Sequence, residues 1–226
     1  MTRLLAVAAI AALAVPGAAH AAPPRATLID VHTVKADRAR PGGGANCSNA
    51  GAASGTYALT GWAVAGPTTS TFNTTTLPSN LNLSATVSAM QAAYSAWSQG
   101  SQAPAITVAT STSTATKPTS NHRYELMFGK SGGTTLAVTY TWRWSDGTIE
   151  SDTLFNTSFT WANLGAEGDG CYENAGNIGT HEFGHTYGLD HPSGARFETM
   201  YAYGYSGETL KRSLASGDVA GANAIY

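Results

Sequence analysis

Between Ser84 and Gly100 the apolar residues Val87, Met90, Tyr94 and Trp97 recur at steps of three and four, the spacing of one helical face, which predicts an amphipathic helix capped by Ser84 and stopped by Gly100. The period then shortens. In TTLAVTYTWRW (134–144), Val138, Tyr140, Trp142 and Trp144 alternate with Thr139, Thr141 and Arg143, predicting a strand with the first set buried and the second wet. Shorter β-like runs occur at 105–110, 122–129 and 147–156, and the SDG turn at 145–147 joins the last of these to the 134–144 run as a hairpin. A first strand is expected at TYALTGWAV (56–64). Towards the C-terminus a helix is predicted from about Asn174 to Tyr187, capped by Asn174 and halted by Gly188. SGDVAGANAIY (216–226) reads as a closing helix, with Ser216 as cap and Asp218 in its first turn. Residues 22–55 show no sustained period and end in PGGGANCSNAGAASG, the pattern of a loosely ordered leader or pro-segment with a Gly-rich linker. A domain is therefore expected over 56–226, with strands and a helix, further strands, then two helices: an α+β layout.

Composition adds a location. Residues 1–21 hold one cation at Arg3, an apolar run from Leu4 to Val15 and a small-x-small site ending at Ala21, the pattern of a secretory signal peptide. The run is shorter than the roughly 18–20 apolar residues a spanning helix needs, so an exported, secreted protein without a membrane anchor is expected. Charged residues make up 12% of the chain and the net charge is −2, which argues against nucleic acid or an anionic membrane as partner. Cys47 and Cys171 lie far apart; in an oxidising compartment they either pair, or Cys47 serves as a thiolate lid over a metal. Asp146 and Asp152 are candidate calcium ligands or, more simply, turn and edge residues. Asn73, Asn82 and Asn156 each begin an Asn-x-Ser/Thr acceptor sequence.

The chain has six histidines, and three fall in HEFGHTYGLDH (181–191). On a helix, positions four apart stand on one face about 6 Å apart along the axis, so His181 and His185 can take one ion between them. Glu182 is offset by about 100°, off the metal but within reach of a water bound to it. Gly188 permits a left-handed turn that swings His191 in as third ligand. Three imidazoles suit Zn²⁺ and leave a fourth position for water, as in catalytic sites. HExxH alone is common by chance; requiring Gly188 and His191 as well makes the coincidence roughly 500-fold rarer.

HEFGHTYGLDH matches HExxHxxGxxH and so resembles the metzincin metallopeptidases. Met200 in FETMYAY, nine residues after His191, is similar to the methionine turn of that clan. Together with YALTGW, AYSAW and GDVAGANAIY it resembles a matrixin of a bacterial-type secreted form, across about 56–226. Pro192 departs from that pattern, and the PRCGxPD-type switch of matrixin leaders is not present, since Cys47 sits in GGANCSNAG; this favours the disulfide over a cysteine lid.

The resemblance implies a twisted, mostly parallel sheet with a helix in the N-terminal half, an active-site helix and a C-terminal helix. It implies a monomeric zinc endopeptidase acting on protein or peptide substrates, with Glu182 as general base and acid and His181, His185 and His191 as ligands of one Zn²⁺. Met200 becomes a hydrophobic floor, Tyr201 or Tyr203 an oxyanion donor or packing residue, and Ca²⁺ a possible second ion without sequence support. The rival expectations are a non-catalytic, zinc-stabilised binding module and a zinc amidase acting on cell-wall crosslinks.

Overall fold

The computed structural model describes residues 24–37, 52–110, 113–162 and 172–226. The signal peptide expected at 1–21 and the cysteines Cys47 and Cys171 lie outside the described residues.

The strands are β1 (Ala26–Ala36), β2 (Ala58–Leu59), β3 (Thr68–Phe72), β4 (Ile106–Ala109), β5 (Tyr124–Gly129), β6 (Thr135–Trp144), β7 (Ile149–Asn156), β8 (Trp161–Ala162), β9 (Glu173–Asn174), β10 (Leu189–Asp190) and β11 (Tyr203–Gly204). The helices are α1 (Leu83–Gly100), α2 (Ala175–Thr186) and α3 (Ser216–Ile225). Seven strands form one sheet in the order β11-β1-β6-β7-β5-β3-β4. Its pairings are parallel except β1–β6 and β6–β7. This is the mixed, mostly parallel sheet with three helices expected of the α+β class.

α1 and α2 pack on one another beside the sheet. Met90, Ala93, Tyr94 and Trp97 of α1 are buried, Tyr94 stacks on Phe183 with centroids 3.7 Å apart, and the Trp97 indole donates to the Thr180 carbonyl at 2.8 Å. The cap of α1 is Asn82 rather than Ser84; its side chain accepts from the Ala85 amide at 3.0 Å. α2 begins as expected, with Asn174 accepting from Gly176 and Asn177. α3 starts after Ala215 rather than on a Ser216 cap, and Asp218 in its first turn accepts the Ala215 amide at 2.8 Å.

Three further readings change. The segment expected to lack regular structure contains the 11-residue strand β1, paired with β6 from Ala26↔Trp144 to Lys35↔Thr135. Its inward face carries His32 and Val34 while Val31 and Leu28 face out, so no apolar alternation shows in the sequence. The 56–64 run supplies only the two-residue β2, which pairs with β10 outside the main sheet. β6 and β7 form the predicted hairpin, but Thr139 and Thr141 are fully buried rather than wet, because α2 covers their face. Asn73 and Asn156 are also buried, their amide groups bonded to the Ala115 and Thr135 carbonyls; Asn82 is the exposed acceptor sequence of the three.

Candidate metal centre

α2 is buried along its whole length, and it places His181 and His185 one turn apart on a single face. Gly188 then turns the chain at φ +97°. A Cβ there would overlap the Trp62 carbonyl, so only glycine fits. The turn is pinned by Thr60, whose amide and hydroxyl both donate to the Gly188 carbonyl, and β10 carries the chain back to His191. The three Nε2 atoms converge: His181 to His185 is 3.2 Å, and each is 3.1 Å from His191.

These short separations are not hydrogen bonds between His181 and His185. His181 Nδ1 is 2.7 Å from the Thr199 carbonyl and His185 Nδ1 is 2.8 Å from the Leu189 carbonyl. A carbonyl only accepts, so both protons sit on Nδ1 and both Nε2 atoms present bare lone pairs. Lone pairs aimed at one point repel unless a cation lies between them, and tetrahedral ligands about 2.0–2.1 Å from zinc stand about 3.3 Å apart. The residues therefore fit a zinc ion. Burial and the neighbouring imidazoles hold His181 and His185 well below the ordinary imidazole value, and burial takes His191 to about 4. All three are neutral near pH 7, as ligands must be.

The supports of these imidazoles run back to α3. Asp218 accepts the amides of Thr199 and Met200 at 2.7 and 3.1 Å, which fixes the Thr199 carbonyl that orients His181. Met200 is buried and abuts Gly184 of α2, where a Cβ would overlap its sulfur and the Trp97 ring. It is a floor beneath the helix and offers no ligand to the three nitrogens.

Glu182 is fully buried. One oxygen accepts from the Thr139 hydroxyl at 2.6 Å and the other from the Val34 amide at 3.2 Å. Burial raises its pKa to about 8, against the pull of these two donors. Thr139 escaped sequence reading because alternation assigned it to the wet face. Asp190 and His32 escaped it too: Asp190 accepts from the His191 amide and from His32 Nε2, and His32 stacks on His185 with centroids 4.1 Å apart.

The remaining candidates lie elsewhere or at the margin. Tyr203 lines a cavity of about 160 Å³ with His191 and Thr33, whereas Tyr201 lies under the Lys211 ammonium, 5.7 Å from its ring centre. Asp146 is a turn residue accepting from Thr148. Asp152 is not an edge residue: it is buried in β7, inside the sheet, and accepts the amides of Thr119 and Glu125. Among the described residues, only His181, His185 and His191 form a metal-holding cluster of histidine, cysteine or carboxylate side chains.

Among curated proteins, none matches this chain. The family model for matrixin matches residues 62–226, a span that takes in α1, the strands β3 to β7, the three histidines and α3. The chain belongs to the matrixin family of zinc metallopeptidases.

Proposed function

We propose that this protein is a secreted zinc endopeptidase in which Glu182 handles the proton and His181, His185 and His191 hold the ion. The observation that carries this is the convergence of three Nε2 atoms at 3.1 to 3.2 Å, two of them without protons, beside a buried carboxylate. Zinc held there supplies Lewis acidity, activating a water and polarising the substrate carbonyl. Glu182 takes the proton of the attacking water and delivers it to the leaving nitrogen. Thr139 holds the carboxylate in place from β6. The signal pattern at 1–21 supports export, with Ala22 as first residue of the released chain.

The test follows cleavage of a quenched, unfolded protein by the purified chain, before and after limited proteolysis of the Gly-rich segment. Chelation of zinc should abolish cleavage. Glu182→Gln should lower turnover by about 10²–10⁴-fold while about one zinc per chain stays bound, as three imidazoles require. Unchanged hydrolysis in Glu182→Gln would sink the assignment and leave zinc as a structural ion.

A further inference from the structure

We propose that the cavity between residues 63–68 and the β6–β7 turn takes the cationic side chain of a lysine or arginine, and that through it the enzyme holds basic polypeptides at a place apart from the metal. The binding stands on the cavity alone; its use in recruiting substrate rests on the peptidase reading above.

The cavity measures about 480 Å³ and carries three rings: Trp144 at the end of β6, Tyr124 at the start of β5 and His122 just before it. His122 is the one described residue other than glycine with a positive φ, +62°, a conformation few side chains adopt. Its imidazole lies flat on the Trp144 indole, with centroids 3.4 Å apart. The Tyr124 hydroxyl is engaged by the Ile149 carbonyl at 2.6 Å, so the ring is what this residue has to offer. Aromatic faces attract cations, indole most strongly.

The acid of the cavity is Glu150, 1% exposed. It accepts the amides of Asn121 and His122 at 2.8 and 2.7 Å and the Trp144 indole N–H at 2.7 Å. All three donors are neutral, and a carboxylate has about four acceptor positions. The charge is therefore uncompensated and one position is left, a costly state for a buried carboxylate. Neighbouring cations are engaged elsewhere: Arg123 pairs with Glu125 at 3.9 Å, and Arg25 meets the turn through its backbone, at Ser145. A second acid stands at the turn. Thr148, which lines the cavity, donates to Asp146 through both its hydroxyl and its amide, and these bonds hold Asp146 below the usual carboxylate range. Flat rings beside an uncompensated carboxylate fit a positive group better than a neutral apolar one.

The position of the cavity selects a polypeptide as bearer of that group. Residues 63–68 continue from Trp62, whose carbonyl packs on Gly188 beside the zinc ligands, so one wall runs from the metal centre into the cavity. Trp144 stands five residues along β6 from Thr139, which holds Glu182, a distance of about 17 Å in a strand. An extended chain lying across the metal centre reaches the cavity with a basic residue roughly five positions from the cleaved bond.

The experiment follows the Trp144 indole N–H and the His122 amide by NMR in the zinc-loaded Glu182→Gln chain. Nα-acetyl-lysine amide is added, and in parallel its Nε-acetylated form and the norleucine analogue. Both signals should shift saturably with the lysine compound and less so as salt is raised, and the neutral compounds should bind at least about tenfold more weakly. Glu150→Gln should weaken lysine binding at least about tenfold. Ala65 is exposed and lines the cavity, so Ala65→Trp closes it without disturbing the core, should abolish binding, and serves if Glu150→Gln unfolds the loop. Equal binding of the neutral compounds, no shift with lysine, or unaltered lysine binding in Ala65→Trp would each overturn the proposal. In the active wild-type chain, a lysine about five residues from the cleaved bond should lower KM at least about fivefold relative to norleucine with kcat unchanged, and Ala65→Trp should erase the difference. A KM blind to that lysine would overturn the recruitment, whereas lysine binding in a chain that cleaves nothing would sink the peptidase reading alone.

Discussion

Thr139 makes the shortest contact to Glu182, a 2.6 Å bond from a fully buried hydroxyl that also lies 3.0 Å from the Thr153 hydroxyl. It is not one of the metal-holding residues and acts by holding the carboxylate. Hydrogen bonds to charged groups are worth about 1.5–3 kcal/mol, so Thr139→Val should lower kcat by about 10–100-fold. KM and zinc content should change little, and Thr139→Ser should recover most of the loss. A kcat and KM measurement with metal analysis checks this; a Thr139→Ser variant as poor as Thr139→Val would make the role one of packing. The histidines and Glu182 were legible in sequence because helical spacing converts directly into direction. Thr139 was not, since its partner arrives from 43 residues away, across a packing contact no local period encodes.

The turn that carries Met200 is held by a different element, α3. Asp218 accepts three backbone amides, those of Thr199, Met200 and Ala215. Burial raises its pKa, opposed by these donors. Asp218→Ala leaves three donors without a partner, and at about 1–3 kcal/mol per buried group the melting temperature should fall well beyond a surface mutation. Zinc affinity should weaken with it, because the Thr199 carbonyl orients His181. Thermal melting with a zinc titration measures both, and normal zinc affinity would break the link. Asp218 was visible in sequence only as a first-turn acid. α1 was legible because it is locally amphipathic, α2 because Asn174 caps it and Gly188 ends it, and the β6–β7 hairpin because a turn closes it. β1 and β3 were not: β3 is TTSTF, with Ser70 and Thr71 buried, and β1 hides a histidine on its inner face. In both, the apolar signal that marks a strand is replaced by polar groups whose partners are distant.

The sheet also sets how the whole molecule responds to pH. Burial, reinforced by Glu150 and Glu125, pushes Asp152 up to about 8, and burial pushes Glu173 up to about 7. A carboxyl whose pKa is higher folded than unfolded is held protonated by the fold, so its contribution is fully present at acid pH and lost as pH rises through the folded value. With zinc saturating, the chain should be more stable near pH 6 than near pH 8.5. A loss on the order of 1 kcal/mol corresponds to about 2–4 °C in Tm for a domain of this size. Glu150→Gln, which removes a neighbouring charge, should flatten the slope measured by calorimetry, and an unchanged slope would contradict it. At this scale the α+β class and the helix order were readable, but the strand filling the place beside β6 was not, because its position depends on a pairing more than 100 residues away. That position also bears on how one molecule meets another. Were β1 absent, β6 would keep β7 on one side and β11 would lose the strand it pairs with, and a bare sheet edge invites any extended chain, including a second copy of the same protein. While β1 stays paired, the hydrogen bonds that complete the sheet also deny neighbouring molecules an adhesive edge.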